Sequence, residues 1–439
     1  MPIDYQEYTR SAIKAEPGTL HVGEWRLDYL AFASPENRHR PPLLVVGGAF
    51  QNFTSYKFCV EKIYEHFPVI LLDLPSLGNN TQIAPDLGME DLADLVNGFV
   101  EQAELEKVHL MGLSLGSAIA STFAYKYPEL TGKLIVAGIV VRPRKSWRML
   151  VDESKRVLGE GRMDEFSQAV VLYLVNYHRL KETGITPTAR KLFYRQMAQL
   201  NENEQERYCI NGSRLLSVEG LLGYPECETL VVTGEHDSFT LPWENAEFAR
   251  RCPNSHFVLI KGADHLPQLE KREVSLELFS TFLQGGDLNQ VEGIRLFPRG
   301  TYENMERRRA ERLIPCNPHG RVTSESRVGD RFRFDQQVRV VDINFFGCLL
   351  QLDKPGFSLA DHARDCTLYM NSPELKLELL VFDYEEGGYL RCLFKHGNIA
   401  EAERFSGLLK DGEHFLAPEP RQDDQPQDES HQKVRRIYG

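Results

Sequence analysis

The chain has 439 residues, 42% of them hydrophobic, which exceeds what one ordinary core uses and suits two domains with linkers. Its formal net charge of −12 argues against a nucleic-acid partner, because phosphate contacts need a basic surface. The eight cysteines are scattered, with no C-x-x-C pair and no Cys/His cluster at zinc spacing, so a reducing compartment and no metal site are expected.

The first residues, "MPIDYQEYTRSAIK", lack an apolar leader core, and no apolar run reaches the roughly 20 residues of a membrane span. A soluble, cytoplasmic protein is expected. From about residue 18 to 284, short runs rich in branched residues alternate with helical patterns: "LLVVGG", "VILLDL", "VHLMG", "LIVAGIVV", "TLVVTG" and "FVLI". Runs of this kind bounded by Gly and Pro are strands buried on both faces, so a parallel α/β sheet is predicted. Residues 142–220 interrupt the rhythm with helical stretches, "MDEFSQAVVLYLVNYHRL" among them, and are predicted to form a helical cap over one end of the sheet. Within it "AVVLYLV" and "LLSVEGLLGY" suit either core or a pocket wall. The cluster "RPRKSWR" reads as a solvated basic face, with a docking site for an acidic carrier protein as the alternative.

The glycines of "QGGDLNQ" mark a boundary. The expected division is a first domain over 1–284, a linker over 285–302, a small β domain over 303–412 and a disordered tail over 413–439. The tail is rich in Pro, Gln and Asp without periodicity.

"GLSLG" places Ser114 between Gly112 and Gly116, after a strand and before a helix. A serine there becomes a nucleophile only if a histidine accepts its proton and an acid fixes that histidine. The chain supplies both in order: Asp237 ends "TLVVTGEHD" and His265 ends "FVLIKGADH". Asp264, beside His265, is assigned to a turn, and His109 and His236 to a strand end and a loop. Charge developing on a carbonyl oxygen needs fixed N–H donors. Leu115, just after the serine, and Ala49, in "VVGGAFQNF", are the candidate oxyanion hole.

These segments in this order resemble the α/β-hydrolase superfamily, with "LLDLPSLGNN" in the place of its D-x-P-G-x-G turn. Gly47 stands where the family's oxyanion loop usually has histidine, and Ser76 where it usually has glycine. The stretch "LLVVGGAFQNFTSYKFCVEKIYEHFPVILLDLPSLGNN" is similar to the 3-hydroxyacyl acyltransferases of the rhamnolipid biosurfactant pathway. The resemblance implies acyl hydrolysis or transfer on a fatty acyl ester or thioester, the latter on acyl carrier protein or coenzyme A, with no cofactor for catalysis.

The second region resembles the PilZ family, whose RxxxR and D/N-x-S-x-x-G motifs bind cyclic di-GMP. "ENMERRRAERLIPCNPHGRV" supplies Arg308 and Arg312, with Arg307 adjacent, and "VVDINFFGCLLQL" supplies Asp342, Asn344 and Gly347. Asn344 stands where the family usually has serine. The resemblance implies a small β-barrel and cyclic di-GMP as a regulatory ligand. Two function classes stay open on sequence: an enzyme under second-messenger control, or an inactive hydrolase-fold module serving as a cyclic di-GMP receptor.

Overall fold

The computed structural model describes residues 3–139, 141–307, 310–325, 333–354, 356–357, 359, 366–385 and 387–418. The chain divides into two units, Met1–Arg309 with Lys395–Arg404, and Ala310–Phe394 with Phe405–Gly439.

In the first unit, strands β1 (Gly18–Val22), β2 (Trp25–Phe32), β3 (Leu43–Val46), β4 (Val69–Asp73), β5 (Val108–Leu113), β6 (Thr131–Ala137), β7 (Glu228–Gly234), β8 (Ser255–Ile260) and β9 (Ile294–Phe297) form one sheet, ordered β1-β2-β4-β3-β5-β6-β7-β8-β9. The strands from β4 to β8 run parallel. Strands β1, β2 and β9 add antiparallel edges.

The helices are α1 (Lys57–Ile63), α2 (Met89–Gln102), α3 (Leu115–Lys126), α4 (Lys145–Gly159), α5 (Met163–Leu174), α6 (Leu180–Thr183), α7 (Pro187–Ala198), α8 (Glu202–Ser217), α9 (Pro242–Arg251), α10 (Pro267–Glu270) and α11 (Arg272–Gln284). One core joins α2, α3 and α9 to the sheet through Val96, Phe99, Phe123 and Phe248. The other joins α1 and α11 through Val60, Ile63, Phe279 and Phe282. With helices on both faces every residue of β4 is buried, which is why Val69–Leu72 are apolar without alternation. Each such side chain contributes about 1.5–3 kcal/mol. Helices α4 to α8 lie between β6 and β7 in sequence, the span expected to cap the sheet.

Three boundaries differ from the expectation. Residues 285–302 are no linker: β9 pairs with β8 from Phe257↔Phe297 to Ile260↔Ile294, and Tyr302 is buried with its hydroxyl accepting from Phe257 N–H. The two glycines instead end α11, Gly285 taking φ +73 at its C-cap. Residues 395–404 belong to the first unit, not to the β domain. Lys395 pairs with Glu153 at 3.0 Å, both nearly buried, its carbonyl accepts from the Tyr173 hydroxyl at 2.6 Å, and Ile399 N–H donates to Gln168. Lastly, the tail expected to begin at 413 contributes a two-residue strand, described below.

The second unit is a closed antiparallel barrel, as the fold class required. Its strands are β11 (His319–Glu325), β12 (Arg333–Asn344), β13 (Gly347–Leu352), β14 (Cys366–Asn371), β15 (Glu374–Glu385) and β16 (Tyr389–Phe394), closed in the order β11-β12-β13-β16-β15-β14. Strand β10 (Ile314–Pro315) pairs with β17 (Phe415–Leu416), so residues 415 and 416 are ordered by pairing; residues 419–439 lie outside the described set. Val322, Val338, Leu350, Leu368, Leu379 and Leu390 fill the barrel. Helix α12 (Ile399–Leu408) carries Phe405, whose ring packs on Phe345 and Phe394.

Candidate active site

The site is built where β5 turns into α3. Ser114 sits in that turn at φ 51 and ψ −116, a strained conformation for a non-glycine residue that costs on the order of 1–3 kcal/mol. Its flanking glycines are sterically required. A Cβ on Gly112 would lie 2.4 Å from the Gly116 carbonyl, and one on Gly116 would lie 2.2 Å from the Val46 carbonyl. Ser114 N–H donates to Ala137 O, and the Ser117 hydroxyl donates to the Gly112 and Ala137 carbonyls, so the turn is tied to β5 and β6.

His265, after β8, places Nε2 3.2 Å from Ser114 Oγ. Its Nδ1 is 3.0 Å from Asp237 Oδ2. Asp237, in the turn after β7, is fully buried and saturated with donors: Thr233 and Thr240 hydroxyls reach Oδ2, and the N–H groups of Phe239 and Thr240 reach Oδ1. Burial pushes its carboxyl up, but the imidazole opposite and the hydroxyl donors outweigh this and hold it below the usual carboxylate range. An anion so held can accept Nδ1–H, which leaves the Nε2 lone pair facing the serine.

Gly48, Ala49, Ser114, Leu115 and His265 all face one cavity of about 440 Å³. Leu115 is the first residue of α3, where backbone N–H groups have no intrahelical partner. The walls are largely apolar, with Met111, Leu276 and Phe279 from the sheet side and Leu150, Val151, Val170, Leu174 and Leu215 from α4, α5 and α8. Thus both uncertain stretches divide. Val170, Tyr173 and Leu174 line the cavity while Val171 and Leu172 are core; Leu215 lines it while Leu221 and Tyr224 pack on the sheet.

The basic cluster is a free face only in part, at the exposed Arg142 and Lys145. Arg144 pairs with Glu244, Arg148 donates to the carbonyls of Leu216 and Val218, and Trp147 is buried. Asp264 is more than a turn residue. It is fully buried and accepts the N–H groups of Ser238 and Asn176, joining the Asp237 turn to the segment after α5. Burial, with Asp237 and Glu270 nearby, raises its carboxyl well above the usual range. Glu270 accepts from Asp264 N–H and is pushed up to about 7, chiefly by burial. No sequence signal marked Thr233, Thr240 or Glu270.

Residues 43–277 match the family model described as "Alpha/beta hydrolase family". The chain belongs to that family. The chain is 22% identical over 251 residues to the (E)-2-((N-methylformamido)methylene)succinate hydrolase of Acinetobacter baylyi, covering 55% of this chain and 90% of the relative. It is 29% identical over 122 residues to the poly(3-hydroxyalkanoate) depolymerase of Ectopseudomonas oleovorans, covering 26% of this chain and 43% of the relative. A thermophilic esterase from Thermogutta terrifontis shares the fold at TM-score 0.51 and 24% identity, over 62% of this chain and 98% of that one.

The remaining candidate residues are those expected to bind a nucleotide. In the second unit Arg312 reaches Asp342 at 2.8 Å, and Leu313 exchanges two backbone hydrogen bonds with Ile343. Asn344 Oδ1 accepts from Phe346 and Gly347 N–H, so it caps the β12–β13 turn. Gly347 is forced, since a Cβ there would lie 2.2 Å from the Cys392 carbonyl. Arg307 belongs to the first unit, its guanidinium over the Trp243 ring at 5.2 Å. Arg308 lies outside the described residues. Among the described residues, Asp411, Glu413 and His414 bring three metal-ligand atoms within 4.8 Å of one another on the surface of the second unit, and no described helix is long and apolar enough to cross a membrane.

Proposed function

We propose that the chain is a serine-dependent acyl hydrolase or acyltransferase acting on fatty acyl esters or thioesters. The observation that carries this reading is the continuous relay Ser114–His265–Asp237, with contacts of 3.2 and 3.0 Å, opening into an apolar cavity. Ser114 Oγ attacks the substrate carbonyl carbon as its proton passes to His265 Nε2, and Asp237 stabilises the imidazolium. The carbonyl oxygen takes the electron pair and is held by the N–H groups of Ala49 and Leu115. Collapse expels the alkoxide or thiolate, which takes the proton from His265. Water or an alcohol then attacks the acyl-enzyme with His265 again as base, the acyl–Oγ bond breaks, and Ser114 Oγ takes the proton back from His265.

The apolar walls favour a fatty chain, since each buried methylene adds about 0.8 kcal/mol. The stretch shared with a poly(3-hydroxyalkanoate) depolymerase is compatible with 3-hydroxyacyl substrates. An inactive module is disfavoured because it has no use for a strained serine aligned on a histidine. A fluorophosphonate probe and a series of p-nitrophenyl esters test the reading. Labelling should vanish in Ser114→Ala, and kcat/KM should rise from acetate to medium chains; labelling that survives, or a preference for acetate, would sink it.

We further infer that the second unit binds cyclic di-GMP and regulates the first. The support is the Arg312–Asp342 pair beside the Asn344 turn, since a guanidinium and a carboxylate are the kinds of group that recognise a phosphate and a guanine edge.

A further inference from the structure

The loop that follows β3 carries a side chain that the serine relay leaves unused. Gly48 N–H and Tyr56 O–H both donate to Gln51 Oε1, at 2.7 and 3.0 Å. Two donors on one atom fix which end of the carboxamide is oxygen, so the other end is the amide NH2. Among the described residues that Nε2 meets no acceptor, and Gln51 is part of the cavity wall. It is also close to the serine: Gln51 Oε1 and Ser114 Cβ lie 3.1 and 3.3 Å from the single point that a Cβ on Gly48 would occupy.

The anchor is rigid. Tyr56 is 4% exposed and ends the short helix Phe53–Tyr56, whose start is closed by a reciprocal cap between Asn52 and Ser55. Its hydroxyl fills the space beside Gly47, where a Cβ would lie 2.1 Å from it. A carboxamide locked at its oxygen end presents its N–H pair without reorganisation, which is what stabilising a developing charge demands.

We propose that Gln51 is a further catalytic residue: Oε1 holds the Gly48–Ala49 turn through the Tyr56 anchor, and Nε2 donates to the substrate oxygen as it gains charge. The proposal rests on Ser114 being the nucleophile, and its test separates the two. Gln51→Met is a neutral replacement of similar length with no amide, and Gln51→Glu keeps an acceptor for both anchors while removing the donor.

Both variants should still be labelled at Ser114 by the fluorophosphonate, more slowly. Their kcat should fall about 10²-fold with little change in KM, and affinity for a boronic acid that mimics the tetrahedral adduct should fall by a similar factor. Relative to wild type at the same pH, Gln51→Glu should regain activity as pH drops and the new carboxyl becomes a donor, a recovery absent from Gln51→Met. Tyr56→Phe, which removes one anchor and keeps the amide, should give an intermediate loss. A Gln51→Met kcat within about twofold of wild type, or a loss confined to KM, overturns the role of Gln51 and leaves the nucleophile standing. Absence of Ser114 labelling in the wild type fails the parent reading instead. Should Gln51→Met not fold, an unchanged kcat and boronate affinity in Tyr56→Phe and Gln51→Glu would overturn it equally.

Discussion

Asp237 Oδ2 lies 3.0 Å from His265 Nδ1 and also accepts the Thr240 hydroxyl, which is itself 3.2 Å from the same nitrogen. The three atoms form a closed triangle in which the hydroxyl and Nδ1–H both donate to the carboxylate. Replacing the acid by an amide therefore alters the chemistry more than the packing. Asp237→Asn should fold with a melting temperature close to wild type and lose on the order of 10³–10⁴ in kcat, because the imidazole is no longer held with Nε2 free. Steady-state ester hydrolysis together with thermal unfolding checks it. A kcat loss below tenfold would mean that the Thr240 hydroxyl alone fixes the tautomer.

The elbow glycines make a purely steric prediction. A methyl on Gly116 meets the Val46 carbonyl at 2.2 Å, and backbone cannot yield as a flexible side chain can. Gly116→Ala should be destabilised by about 1–3 kcal/mol or more and should lose turnover through displacement of the serine. Denaturant unfolding measures the first and probe labelling the second.

The buried acids behind the histidine predict a pH dependence of stability. Glu270 titrates near 7 in the folded chain against an ordinary value of 4.5, and Asp264 is raised as well. The folded state thus holds protons more tightly than the unfolded state. The contribution of Glu270 to stability is fully present below pH 4–5 and is lost as pH rises through about 7, and that of Asp264 is lost in the same direction. Glu270→Gln keeps an acceptor for Asp264 N–H and removes one titration, so its stability relative to wild type should improve from pH 5 to pH 8, by about 1–3 kcal/mol. Urea midpoints at the two pH values decide it; parallel wild-type and variant curves would refute it.

How far these elements were readable follows from where each is buried. The parallel strands are apolar on both faces, and they delivered the sheet, the elbow and the order of serine, acid and histidine. The edges were not readable. β1 alternates half-buried and exposed residues, and β9 buries only Ile294 fully, so neither shows an apolar run. Gly285 and Gly286 read as a domain boundary in sequence, although Gly285 only ends a helix. A two-residue strand such as β17 has no period to detect. At Ser76 the backbone position outlasts the residue type: it takes φ 67, a value glycine favours, while its hydroxyl accepts from Ala84 N–H. Gln51 and Thr240 meet their partners only through contacts made by folding, and no sequence spacing encodes those.

The last prediction concerns the second unit. Arg312 is half-exposed and held by Asp342, so a phosphate would have to compete with a carboxylate already in place. Asn344 and Gly347 serve the hairpin itself, one capping the turn and the other admitting the neighbouring strand, and changing them would disturb the barrel rather than test a ligand contact. Arg312 is the informative position. Calorimetry of the full chain with cyclic di-GMP should show binding that weakens at least about tenfold in Arg312→Ala, the loss of one bidentate phosphate contact. Asp342→Asn frees the guanidinium but removes a candidate acceptor for the guanine edge. If Asp342 only occupies Arg312, affinity should rise; if it reads the base, affinity should fall. No heat with wild type at tens of micromolar ligand would end the receptor reading, and binding that leaves ester turnover unchanged would retain the receptor and remove the regulation.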